Sequence, residues 1–382
     1  MKKHYRGAIA AGVSAVAAAA LVATRAQAAP APAPPVDGTY VVPFQYTGTD
    51  PAPGKSNALQ GIKGGDTPGT YLIVGTSFPN GFVYEGPIDD APSGSGTWTN
   101  MNVPASYAGT TTSIYGVDNL DGTDVALVGS YKTTTGSKSF YYEGPITSTP
   151  DASDFTSVVG TKNGKPADYT FLHSVSGGLV VGNLDMAGDK NPAGYAFIYD
   201  PATNEQTPIV YPRTSRSLTH TAYGIWWNGG SSYTISGGQG LSKPAATSGR
   251  DGDPIGVATL IDYNSATGTF SNFKTFSFPK GILPKKATSP LTHFEGIWGN
   301  GSGSYQLPVT TTYGKNGAVA AVATVTRTGG PTSAFGTPTW QLVSVPGAKG
   351  VTTNNSVYDG ALIGIANVGG SVKPWAFAPA AP

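Results

Sequence analysis

The stretch THFEGIWGN, residues 292–300, places a histidine two positions before a glutamate in a chain that contains only 4 histidines. An imidazole and a carboxyl held close together can pass a proton, the equipment of general acid–base catalysis. On an extracellular polysaccharide, Glu295 would serve as acid or base, with His293 or His173 assisting. A glycoside hydrolase also needs a second carboxylate about 5–10 Å away, and the neighbouring strands offer only Asp118 and Asp359. That shortage favours a binding site over a hydrolase or lyase. The same imidazoles, His173, His220 and His293, together with Glu295, are chemically able to ligate a metal, but only if the strands that carry them converge.

Other stretches carry less chemistry. DNLDGTD, residues 118–124, has the acidic spacing of a partial calcium loop, yet its twelfth position is Gly129 instead of the glutamate an EF-hand requires. Its Asp-Gly pair reads as a hairpin turn. The motif YEGPI occurs twice, at 84–88 and 142–146, and suggests paired carboxylates in Glu85 and Glu143. An acid followed by Gly-Pro is turn chemistry, however, and the two copies should lie in separate structural units. HExxH, a phosphate-binding Gly-Lys-Ser/Thr loop and the nucleophile-elbow GxSxG are all missing from the sequence. No cofactor is expected; a structural calcium or a histidine-ligated metal are the alternatives.

The elements that must position these residues are strands. With Gly 53 and Pro 31, each unfavourable inside a helix by roughly 1 and 3 kcal/mol, the chain is not helical. Short runs such as TYLIVG, VALVGSY, GLVVGN, SYTISGG and ALIGIA are bounded by turn residues, which is an all-β pattern. LQGI, IYGV, HSVSGGLVVG, AYGI, FEGI and NSVYDGALIG align on Gly61, Gly116, Ser174, Gly224, Gly296 and Ser356, at spacings of 55, 58, 50, 72 and 60. Repeats of 50–70 residues with about four strands each are the pattern of propeller blades. The sequence therefore predicts a six-bladed β-propeller of four-stranded blades over residues 38–380. The last unit runs out after three strands, and TYVVPFQYTG near the N-terminus should complete it and hide two sheet edges.

GYAFIYDPATN, residues 194–204, resembles the third-strand signature of extracellular repeat proteins of the HAF type, with Tyr195 where that triplet has histidine. The resemblance covers such fragments alone and implies a secreted, propeller-like protein. It carries no catalytic residues across.

Around the predicted ring, the residue before each anchor is Gln60, Tyr115, His173, Tyr223, Glu295 and Asn355; the residue after it is Ile62, Val117, Val175, Ile225, Ile297 and Val357. Six polar side chains on innermost strands would face a common axis and form a binding mouth. His220 and His293, at the starts of their strands, should join it. Two long connections, residues 241–256 and 279–292, should overhang the same face and bring Arg250, Asp251, Asp253, Lys285 and Lys286. Trp226, Trp227 and Trp298 follow the anchors and read first as inter-blade packing, second as sugar-stacking faces.

The N-terminus has the three parts of a secretory signal: MKKHYRG, an Ala/Val-rich run and Ala26-Gln27-Ala28. Cleavage is expected after Ala28, followed by a stiff Ala/Pro linker at 29–37. Of 23 basic and 22 acidic residues, the signal contains four basic and no acidic ones, leaving 19 against 22. A surface so close to neutral argues against nucleic acid and anionic membranes as partners. The expected product is a secreted or periplasmic monomer with no membrane span after processing. It would bind a carbohydrate or another polar ligand through Gln60, Tyr115, His173, His220, Tyr223, His293, Glu295, Asn355 and Arg250.

Overall fold

The computed structural model describes residues 38–46, 57–89, 94–120, 123–189, 194–242, 254–279, 281–283, 290–313, 317–330 and 332–380. The signal, the linker, Arg250, Asp251, Asp253, Lys285 and Lys286 lie outside the described residues.

The chain is all-β, with two single-turn 3₁₀ segments, Ala105–Tyr107 and Asp151-capped Ala152–Asp154, among the described residues. Its strands form antiparallel four-stranded units in sequence order. The first unit comprises Asn57–Gly64, Thr70–Ser77, Asn80–Pro87 and Thr97–Met101. The second comprises Thr111–Asn119, Asp124–Lys132, Ser137–Pro145 and Phe155–Val158. The third runs Tyr169–Ser176, Leu179–Asp185, Tyr195–Asp200 and Glu205–Pro208. The fourth runs Ser217–Gly229, Ser232–Leu241, Gly256–Asn264 and Thr269–Phe276.

In the fifth unit the innermost strand is split into Leu291–Phe294 and Trp298–Gly299, followed by Ser304–Tyr313, Gly317–Thr326 and Thr339–Leu342. The sixth has Ala348–Thr352 with Ser356–Tyr358, then Ala361–Val368 and Ser371–Pro379. Its fourth strand is Gly38–Val41, paired with the C-terminal strand from Gly38↔Pro379 to Val41↔Ala376. The N-terminal strand thus completes the last unit, as the short final repeat required.

Within a unit, burial falls from the second strand to the fourth. In the third unit Leu179–Asp185 is buried at every position, whereas Glu205–Pro208 is buried at none. A second strand sandwiched on both faces reads as a continuous apolar run, so VALVGSY and GLVVGN lack alternation.

The core is divided among the seams between consecutive units. One cluster joins Leu72 and Val74 of the first unit to Ile114 and Leu127 of the second. Others join the second to the third, the third to the fourth, the fourth to the fifth and the fifth to the sixth. A further one joins Ile363 and Ala376 of the sixth unit to Leu59 and Ile73 of the first. Each seam receives one residue that follows a repeat anchor: Ile62, Val117, Val175, Ile225, Ile297 or Val357. Burying each such side chain contributes roughly 1.5–3 kcal/mol, and this gives the repeat phase its energetic basis.

YEGPI proves to be a turn device. Tyr84 donates its hydroxyl hydrogen to the Pro87 carbonyl, and Tyr142 does the same to Pro145, both at 2.6 Å. A Cβ on Gly86 would sit 2.8 Å from the Tyr84 hydroxyl, so the glycine makes room for the ring that locks the turn. Glu85 and Glu143 are exposed in different units. In IYDPATN, Asp200 Oδ1 accepts the Ala202 amide at 2.9 Å, the same turn chemistry at the same stage of the repeat.

Candidate binding channel

The innermost strands of the six units surround a narrow channel, and a shared irregularity aims their side chains into it. In the first four units the pairing register skips one residue: Gln60, Tyr115, His173 and Tyr223. In the fifth, four steps from Phe294 to Trp298 face three from Val309 to Gln306, so one extra residue lies there, beside Glu295. In the sixth, four steps from Thr352 to Ser356 face three from Ala366 to Ile363, around Asn355. An extra residue in one strand of a pair bends that strand and redirects a side chain. The residue before each anchor is therefore a β-bulge residue.

The anchors explain why the channel is narrow. A Cβ on Gly61 would lie 2.6 Å from the Tyr115 carbonyl oxygen, and one on Gly116 would lie 2.7 Å from that of His173. Neighbouring inner strands meet backbone to backbone at these points, a spacing only glycine permits here. The cavity that remains holds about 40 Å³ and is walled at one end by Gln60, Tyr115, His173, Tyr223 and Glu295.

Three of the ring residues form a line of aromatic rings. Tyr115 stacks on His173 with centroids 5.3 Å apart, and His173 meets Tyr223 edge to face at 4.7 Å. His293 stacks on the far side of Tyr223 at 5.7 Å. Its Nδ1 lies 3.8 Å from Glu295 Oε1, and neither atom has a hydrogen-bond partner. The Glu295 side chain is only 7% exposed. Burial pushes its pKa up to about 8, against a smaller opposing effect of a hydrogen bond from Thr310. Burial acts oppositely on the imidazoles, lowering His173 to about 3 and His293 to about 4. At neutral pH the site therefore holds a protonated carboxyl and neutral histidines.

Three sequence expectations need correction. His220 does not join the ring: its imidazole stacks on Tyr211 at 4.6 Å and its Nε2 accepts from Gln239 at 2.7 Å, within the seam between the third and fourth units. It lies three residues ahead of the bulge at Tyr223, where regular pleating turns it away from the axis. Asn355 is in the ring by register, but its amide donates to the Leu59 carbonyl at 2.7 Å and ties the sixth unit to the first. The channel wall there is built by Ser356, Val357 and Tyr358. His293 stands behind Tyr223 and Glu295, outside the channel wall.

The opposite end of the channel was not anticipated as a unit. The residues two past the anchors are Lys63, Asp118, Ser176, Trp226, Trp298 and Tyr358, and extending the repeat alignment by two positions would have grouped them. Lys63 Nζ lies 2.7 Å from Asp118 and 5.1 Å from the Trp226 ring centroid. Asp118 also accepts the Gly177 amide at 3.0 Å, and Trp226 and Trp298 pack at 6.2 Å. Asp118 is thus committed to a lysine and a hairpin amide, away from the calcium-loop role its sequence suggested. Asp359 occupies a hairpin turn with φ 45°.

No family model matches the chain, and no curated protein matches it. Among solved structures it is similar to a neuraminidase-like protein from a little yellow-shouldered bat isolate, at 13% identity and TM-score 0.39, covering 90% of this chain and 99% of that one. It is similar to a mutant of the GH43 protein BlXynB from Bacillus licheniformis, at 11% identity and TM-score 0.36, covering 82% and 67%. A tail fibre of a Staphylococcus aureus phage matches at 12% identity and TM-score 0.32; the likeness covers 73% of this chain and spans half, 50%, of the fibre chain.

Proposed function

We propose that the six units are the blades of a β-propeller, exported by the signal at 1–28, acting as a monomeric binding protein whose site is the polar end of the channel. The ligand class is a carbohydrate or another polar extracellular molecule. The observation that carries this reading is the shared bulge: it brings Gln60, Tyr115, His173, Tyr223 and Glu295 to the lining of one cavity. A cavity of about 40 Å³, space for roughly three waters, takes a polar substituent while a sugar ring stays over the rim.

The alternative, a polysaccharide hydrolase or lyase using Glu295 with His293 or His173, draws support from one fact. A carboxyl raised to about 8 is protonated at neutral pH, as a general acid must be. Against it, Asp118 is engaged by Lys63 and the sugar ring does not fit the cavity. A glycan array and a polysaccharide-hydrolysis screen on the secreted chain separate the two. Binding without turnover, reduced by up to about tenfold by Glu295→Gln through loss of a hydrogen bond from the neutral carboxyl, supports the binding reading. Turnover abolished by the same substitution supports the enzyme. If Glu295→Gln changes neither, the channel is not the site.

A further inference from the structure

We propose that Trp227 is a carbohydrate-stacking subsite, separate from the polar end of the channel, and that it takes the flat face of a β-linked, equatorially substituted pyranose chain. It lies at the opposite end of the inner strands.

Of Trp226, Trp227 and Trp298, which follow the anchors, two are packed and one is not. Trp226 and Trp298 lie against each other with centroids 6.2 Å apart. Trp227 is 47% exposed. A singly exposed apolar side chain is ordinary, but this one is tethered at its ring nitrogen, its backbone and one edge of its ring. Its Nε1 donates to the Gly230 carbonyl at 2.8 Å, and its backbone amide donates to Ser176 Oγ at 3.2 Å. The ring rests on the hairpin of the preceding unit, where a Cβ on Gly177 would come within 2.5 Å of the indole Cγ. Gly177 is pinned in turn: its amide donates to Asp118 at 3.0 Å and its carbonyl accepts the Tyr233 hydroxyl at 2.7 Å. An aromatic ring left in water yet fixed in place loses little rotamer freedom when a ligand covers it.

The surroundings select a sugar. Glycines flank the ring at 177, 178, 229 and 230, and a Cβ on Gly178, Gly229 or Gly230 would meet nothing within 4 Å. Glycine at these positions keeps side chains off the indole and leaves a flat shelf without walls. The face of an indole carries partial negative charge. A pyranose with equatorial substituents presents to it a flat row of axial C–H hydrogens, apolar and weakly positive. Asp118 borders the shelf through Gly177, and its carboxylate lies 2.7 Å from Lys63 Nζ. These two side chains, 10% and 18% exposed, supply an acceptor and charged N–H donors for ring hydroxyls. A protein partner calls for more apolar surface around its anchor. Phe78, Tyr169, Val210 and Leu218 lie at the other end of the strands, and Leu120 lies in a hairpin of the second unit.

Calorimetric titration of the full chain with cellotetraose and with chitotetraose tests this, with maltotetraose, whose α-linkages bend the chain, as the comparison. At least one β-linked probe should bind more tightly than maltotetraose. Trp227→Ala should weaken that binding at least about tenfold by removing the stacking surface. Tyr169→Ala, which removes a similarly exposed ring at the other end of the strands, should leave it unchanged. Oxidation of Trp227 by N-bromosuccinimide, followed by peptide mass spectrometry, should slow in proportion to the fraction of chain bound. No binding of either β-linked probe, no preference over maltotetraose, undiminished affinity in Trp227→Ala, an equal loss in Tyr169→Ala, or oxidation unslowed by bound probe would each overturn the proposal. Should Trp227→Ala lack the thermal transition of the natural chain, the oxidation of the natural chain decides. Glycan capture that disappears in Glu295→Gln while Trp227 stays open to oxidation retires this inference and keeps the polar-end site; capture that shields Trp227 and persists in Glu295→Gln does the reverse.

Discussion

Two buried polar clusters lie in adjacent parts of the fourth and fifth units, and they are built on opposite plans. In the outer one, Arg327 meets Asp262 through both terminal nitrogens, at 2.9 and 2.6 Å. It also donates to the Ser333 carbonyl, the Tyr305 hydroxyl and Thr234 Oγ1. Asp262 takes a further bond from Asn272 at 2.7 Å, and the guanidinium covers the Phe335 ring at 4.3 Å. In the axial cluster, Glu295 Oε1 and His293 Nδ1 face each other across 3.8 Å without a hydrogen bond. A saturated buried network fixes two units in register; a buried carboxyl left short of partners stores unfavourable free energy. The first is architecture. The second belongs to the proposed site.

Substitutions at the two clusters should behave accordingly, and the largest effect is expected at the saturated one. Arg327→Met strands Asp262 in the seam and should lower stability by about 3–5 kcal/mol, read from denaturant midpoints, without altering ligand capture at the channel. A loss below about 1 kcal/mol would mean that the network is not what holds these units together.

The axial cluster predicts a pH signature. Glu295 has a folded pKa raised from 4.5 to about 8, so the folded state binds the extra proton and stability declines as pH rises from 4.5 through 8. His173 and His293, lowered from 6.5 to about 3 and about 4, act in the other direction: stability is lost as pH falls below 6.5. Thermal stability should therefore peak between about pH 6 and 7. Glu295→Gln should flatten the alkaline limb and stabilise the protein by about 2–4 kcal/mol above pH 8. An unchanged alkaline limb would show that Glu295 is not a strained acid.

The pinch at the axis gives a third test. Gly116→Ala forces a Cβ to within 2.7 Å of the His173 carbonyl oxygen and should be destabilising by about 1–3 kcal/mol, with a parallel loss of binding as the ring residues spread. Smallest of all, Tyr142→Phe removes one hydrogen bond to Pro145, at 2.6 Å. A loss of about 1 kcal/mol is expected, with binding unaffected.

Much of this was legible in the residues. Three of the repeat anchors, Gly61, Gly116 and Gly224, emerged because a Cβ there would meet the backbone of the neighbouring inner strand, and the residues after the anchors because each must fill one seam. The ring Gln60, Tyr115, His173, Tyr223, Glu295 and Asn355 followed from the same phase. His220 was misplaced because strand position alone does not reveal a bulge, and three residues from the bulge at Tyr223 the side chain returns to the seam. Asn355 was grouped with the ring correctly by register, but its hydrogen bond to Leu59 is made with a residue nearly the whole chain away. Lys63 and Asp118 escaped notice as a pair for the same reason: they are 55 positions apart and meet only when adjacent units pack.

The sequence by itself determined the strand content, the repeat, the phase of the seams and the strand that completes the last unit. These are consequences of local backbone preference and periodic burial, which each segment carries within itself. Tertiary structure alone decided the width of the channel, the line of rings from Tyr115 to His293, and the protonated state of Glu295. Those depend on how closely separate segments approach, and on the water they exclude from one another. THFEGIWGN contributes a histidine and a glutamate; only the closing of five other inner strands around them makes the glutamate an acid in want of a donor.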